Sequence, residues 1–238
     1  MSFVMTYKKI KQELRAVASS KKKQVLKRFF KTGPGEYGYG DIFLGVMVPQ
    51  VRAIVKHYAT LSTAELSTLL VSPIHEERLT GLLITVRQYQ KAEKKEKSQI
   101  FSFYIKHISA ANNWDLVDLS CPHIVGEHCA AGTPRILYRL ARSASQWERR
   151  IAIVSTFALI RKNRFDDTLA ISRMLLNDPE PLIHKAVGWM LREVGKRNKT
   201  KEKEFLKSYY RCMPRTMLRY AIERFPEKER QSFLSGRV

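Results

Sequence analysis

A chain of 238 residues with 43 Lys and Arg against 22 Asp and Glu has a formal net charge of +21 and a sequence pI of about 10.1. With 44% hydrophobic residues it reads as soluble and globular, and its excess of base points to DNA, RNA or an anionic membrane surface. Its apolar runs fall far short of the roughly 20 residues that cross a bilayer. The opening MSFVMTYKKIKQELRAV has no apolar signal core, so a cytoplasmic protein is expected.

Helical periodicity dominates from the start. A first helix is expected from about Met5 to Ala18 and a basic one from Lys21 to Phe30. The segment Lys31–Gly40 then places four glycines and a proline in ten residues, which no helix continues. Its role is to join helices or to touch DNA through Lys31 and its glycine amides. Pro49 opens a helix with Val51, Ile54, Val55 and Tyr58 along one stripe. Ser62 with Glu65 three residues on predicts a capping box ahead of Leu66, Leu69 and Leu70. The charge run Lys91 to Lys97 reads as a solvated helix start or turn.

From there the chain repeats itself. Arg78, Trp114, Arg150, Lys185 and Arg219 each open an apolar-periodic helix and recur roughly every 35 residues. A breaker precedes each one: Ser72-Pro73, Asn112-Asn113, Ser143-Ala144-Ser145, Asp178-Pro179-Glu180-Pro181 and Met213-Pro214. A second helix fits between anchors, as at Lys94–Ser109 or Arg164–Leu176. This pattern predicts an all-α solenoid of HEAT-like antiparallel helix pairs, one domain over residues 1–238, with one helix of each pair lining a basic concave groove. The alternative is an irregular helical bundle.

Cys121, Cys129 and Cys212 form no metal-binding pattern and read as free thiols, the first two buried. No P-loop or dinucleotide fingerprint occurs.

The stretch Asn112-Asn113-Trp114-Asp115-Leu116-Val117-Asp118 sets an aromatic ring and two acids in seven residues of this basic chain. Trp114 and Asp118 are four apart and share a helix face. Asp115 suits a capping or dipole role at the helix start. Asp118 is open to two readings: a structural hydrogen-bond acceptor, or a carboxylate that stabilises an oxocarbenium-like sugar. Lys185, Trp189 and Arg192 share another face. The tryptophans are core or site, and the bases are solvated surface or phosphate contacts.

Four segments carry a resemblance: Phe43-Leu44-Gly45-Val46 with Pro49; Trp114-Asp115-Leu116-Val117-Asp118; Trp147-Glu148-Arg149-Arg150-Ile151-Ala152; and Lys185 through Glu193. Together they resemble the DNA alkylation repair family of HEAT-like-repeat, AlkD-like glycosylases. The resemblance implies Asp118 as the catalytic carboxylate, and Trp114 and Trp189 as the rings against the lesion's deoxyribose. It implies Arg150 as a grip on the DNA backbone. Arg78, Lys185, Arg192 and Arg219 are expected as further backbone contacts. The implied reaction is hydrolysis of the N-glycosidic bond of cationic N3- or N7-alkylated purines in double-stranded DNA, without base flipping, metal or cofactor. The chain departs from the family's best-known member at Phe29 or Phe30 (a tyrosine there), at Met47 (a polar amide) and at Pro181-Leu182 (an aromatic pair). A monomer is expected. The rivals are a non-catalytic binder of damaged or branched nucleic acid and a protein–protein scaffold.

Overall fold

The computed structural model describes residues 6–58 and 60–238. Regular structure among them is helical, and the extended pairing present is an isolated parallel bridge between Ile42 and Ile74. None of these helices is long and apolar enough to cross a membrane. The chain folds as two compact units, one ending at Ser120 and the other running from Cys121 to Val238.

In the first unit, α1 (Thr6–Ala16) and α2 (Ser20–Phe29) lie where the periodicity puts them, and Met5 falls outside the described residues. The glycine-rich segment forms turns. α3 (Val48–Val55) takes its proline in the first turn and buries Val51, Ile54 and Val55, with Tyr58 buried beyond its end. α4 (Thr63–Leu70) starts on the expected capping box: the Ser62 hydroxyl accepts from the Glu65 amide, and the Glu65 carboxylate accepts from the Ser62 amide.

α5 (His75–Lys91) is the core of this unit. It is buried from His75 through Val86, against α1, α3, α4, α6 (Lys94–Lys106) and α7 (Trp114–Asp118). The Lys91–Lys97 run contains the break between α5 and α6, as its charge suggests.

The second unit opens on a wide π-type turn at Pro122–Gly126, followed by α8 (Glu127–Ala131) and α9 (Arg135–Leu140). Its core helices are α10 (Gln146–Arg161) and α12 (Pro181–Gly195), which pack on each other. α11 (Asp166–Met174) fills the space between two repeat anchors and packs on both. α13 (Lys199–Tyr209), α14 (Arg215–Ala221) and α15 (Glu227–Leu234) complete the chain. α12 and α14 cross so closely at Gly188 that an added Cβ would stand 2.4 Å from the Met217 carbonyl oxygen. All five anchors lie within the first five residues of their helices. Cys121 and Cys129 are buried and Cys212 is exposed.

Candidate active site

α7 has only five residues and cannot hold itself together by propensity. Its start is fixed by side chains. The Asn113 amide oxygen accepts from the Trp114 amide at 2.8 Å, and Asp115 Oδ1 accepts from the Leu116 amide at 2.8 Å. Asp115 thus has the capping role expected of it, and a second one described below.

Trp114 and Asp118, at the two ends of this helix, are both half-buried. They line one cavity of about 440 Å³, whose other walls include Val25, Phe29, Phe30, Phe43, Met47 and Leu79. The indole of Trp114 lies 5.1 Å from the Phe30 ring and 5.6 Å from the Phe29 ring. Phe30 stacks on Phe43 at 5.2 Å. The phenylalanine and methionine that depart from the family's best-known member are therefore cavity-lining residues.

Behind α7 is a buried ionic chain. His75 Nδ1 lies 2.9 Å from Asp41 Oδ2, and its Nε2 lies 2.9 Å from Asp115 Oδ2. The His75 ring also stacks on Phe43 at 4.4 Å. Burial alone would lower the His75 pKa, but the charge of Asp115 and hydrogen bonds to Asp115 and Asp41 carry it up to about 9. Burial likewise works to raise the Asp41 pKa, and His75 and Arg78 overcome it and hold it below the usual carboxylate range. The Lys31–Gly40 segment ends by delivering Asp41 into this chain, which gives its joining role a specific content.

Arg78 is turned inward. Its residue is 5% exposed, and its guanidinium donates to the carbonyls of Ser72 and Ala110, to Asn112 and to Asp41. Those donors face internal oxygens, so Arg78 braces the first unit.

In the second unit Trp189 is half-buried, donates from its indole N–H to Glu193 at 3.2 Å and lies 6.2 Å from the Phe157 ring. Arg150 is 5% exposed and donates to the Leu182 carbonyl at 2.6 Å, where the departure Pro181-Leu182 falls. Arg192 is drawn to Glu223 and lies 3.8 Å from Glu193. Lys185 and Arg219 are exposed on α12 and α14.

The sequence reading did not single out His75, Asp41 or Glu76. Glu76 accepts from three successive amides: Leu44, Gly45 and Val46. A signal was present in His75-Glu76-Glu77-Arg78, a run of ionisable residues that opens an otherwise apolar helix. Charge entering a buried helix must be met by partners.

A helical protein with strong positive charge, which sets a carboxylate and an indole on the wall of an apolar cavity, has the parts to hold a cation within a polyanion. The sequence profile of the DNA alkylation repair enzyme family matches residues 10–225. The chain belongs to that family, and a role in DNA repair follows. A solved structure described as a predicted DNA alkylation repair enzyme from Enterococcus faecalis has the same fold, with a TM-score of 0.67 at 17% identity. The match covers 88% of this chain and 97% of that one. No curated protein matches the sequence.

Proposed function

We propose that the protein is a monofunctional DNA glycosylase, acting as a monomer, that hydrolyses the N-glycosidic bond of cationic N3- and N7-alkylated purines in duplex DNA without flipping the base. The observation that carries this reading is the pairing of Asp118 with Trp114 on one apolar cavity wall. An alkylated purine already leaves readily. What the enzyme must supply is stabilisation of the positive charge that grows on the sugar. A carboxylate about 4 Å from that charge is worth roughly 4 kcal/mol at an intermediate dielectric, about a thousandfold in rate. An indole face adds on the order of 0.5–2 kcal/mol. Asp118 also orients the attacking water. Trp189 and Arg150 are the proposed contacts from the second unit, to sugar and phosphate. Lys185, Arg192 and Arg219 add backbone charge. The scheme draws on no metal or cofactor. Neutral bases, which would have to leave as anions, are poor leaving groups and stay in place.

The test is release of 7-methylguanine from methylated duplex DNA by wild type and Asp118→Asn. Release that falls about 10²–10³-fold in the variant, with DNA affinity kept, supports the proposal. Tight binding without release by wild type would move the function to a non-catalytic DNA binder.

A further inference from the structure

The two groups assigned to the lesion share a five-residue helix, so something outside that helix must set their pose. The candidate is the buried chain behind it. Both His75 ring nitrogens lie 2.9 Å from a carboxylate oxygen. A neutral imidazole has one N–H and one lone pair, so in either tautomer a lone pair would face a carboxylate. The imidazolium alone donates at both ends. Arg78 binds the other oxygen of Asp41, which balances two carboxylates with two cations in a site where His75, Asp41 and Asp115 are each at most 8% exposed. Asp41 also accepts from the side-chain Nδ2 of Asn113 at 3.3 Å, and the side-chain oxygen of Asn113 caps α7. The remaining acids nearby are engaged elsewhere or lie further along. Glu76, next on α5, faces the amides of residues 44–46, and Asp118 sits one turn beyond Asp115.

We propose that His75, donating at once to Asp41 and Asp115, is the positioning residue that fixes the helix bearing Trp114 and Asp118 against the lesion. The proposal rests on the glycosylase reading for its chemistry and on geometry alone for its structural part. His75 lines the cavity wall but is turned to its two carboxylates; it acts through Asp115 and takes no proton from substrate. It also offsets the charge of Asp115, one turn from Asp118, so that Asp118 faces the sugar without an uncompensated acid beside it. A displacement of about 1 Å in a reacting group costs about 10²-fold in rate.

The experiment uses the full chain labelled with ¹⁵N at histidine and tryptophan. The His75 ring, assigned in the wild-type chain by its NOEs to the rings of Phe43 and Phe30, 4.4 and 5.2 Å away, is expected doubly protonated at pH 7.5 and to deprotonate near pH 9. The Trp114 indole resonance is expected to move with the same midpoint, and Asp115→Asn to lower that midpoint. Single-turnover release of 7-methylguanine by His75→Gln should fall about 10²-fold while affinity for undamaged duplex is kept. A neutral ring at pH 7.5, an indole resonance indifferent to the His75 titration, or a folded His75→Gln as fast as wild type overturns the proposal. If wild type releases no base, the glycosylase reading fails by itself, and the two titrations still decide the role of His75. They decide it equally if His75→Gln does not fold.

Discussion

Trp114 rests on Phe30 with ring centroids 5.1 Å apart, and through that contact a wall of the cavity is joined to the buried cluster of Leu26, Phe30 and Phe43. Phe29, beside it, touches the same indole but is 59% exposed, whereas Phe30 is 6% exposed. The two phenylalanines should therefore separate stability from activity. Phe30→Leu is expected to cost about 1–1.5 kcal/mol in urea unfolding and to slow base release by loosening the indole. Phe29→Ala should change stability by about 0.5 kcal/mol or less, yet still alter release. Equal stability losses in both would show that the cavity rim is part of the core.

The cationic side chains divide by what they face. Lys185→Ala and Arg219→Ala, on exposed residues, should each weaken DNA binding and reduce the slope of log affinity against log salt by about one. Arg78→Gln should leave that slope alone. Instead it should destabilise the fold by about 3–5 kcal/mol, because it leaves Asp41 with one fewer cation in a buried site. Chemical denaturation beside a salt titration of duplex binding checks both expectations.

Stability should fall in mild alkali. Glu202 on α13 is 2% exposed, and burial pushes its pKa up to about 8 against the opposing pull of Lys199 and Lys203. A folded-state pKa above the unfolded value gives stability that is complete below the unfolded pKa of 4.5 and lost as pH rises through about 8. His75 has the same sign in a later window, between 6.5 and about 9. Thermal midpoints are therefore expected to drop from pH 6 to pH 9. Glu202→Gln should remove the earlier part of the drop, at roughly 2–4 °C per kcal/mol for a chain of this size. A wild-type midpoint flat across that range would contradict both assignments.

The sequence carried the helices because their apolar positions recur at helical spacing, and it carried their starts where a side chain does the capping, as at Ser62 and Glu65. It also carried Trp114 and Asp118 as one face, since four residues on a helix need no tertiary information. The fate of Arg78 was not legible. Whether an arginine on a periodic helix meets water or Asp41 depends on a residue 37 positions earlier, delivered by a loop whose path no periodicity encodes. Asp115 shows the same limit: its local bond to Leu116 follows from position, and its bond to His75, 40 residues away, does not.

The loop from Phe43 to Val46 offers the most local of these tests. Gly45 has φ +89°, and an added Cβ would stand 2.1 Å from the Ser19 carbonyl oxygen and 2.6 Å from the Lys23 amide nitrogen. Its own amide donates to Glu76 at 2.8 Å, between the amides of Leu44 and Val46 that reach the same carboxylate. Gly45→Ala thus meets backbone strain and a backbone clash together, and is expected to cost about 2–4 kcal/mol. Glu76→Gln keeps the shape but loses the charge that three amides converge on, which should cost about 1.5–3 kcal/mol. Both variants should speed hydrogen exchange at the amides of residues 44–46. Because Phe43 and Val46 line the cavity, both should also slow base release. A Gly45→Ala protein as stable as wild type would mean that the loop can leave the α2 terminus at little cost, and the cavity wall would then be mobile where the structure makes it fixed.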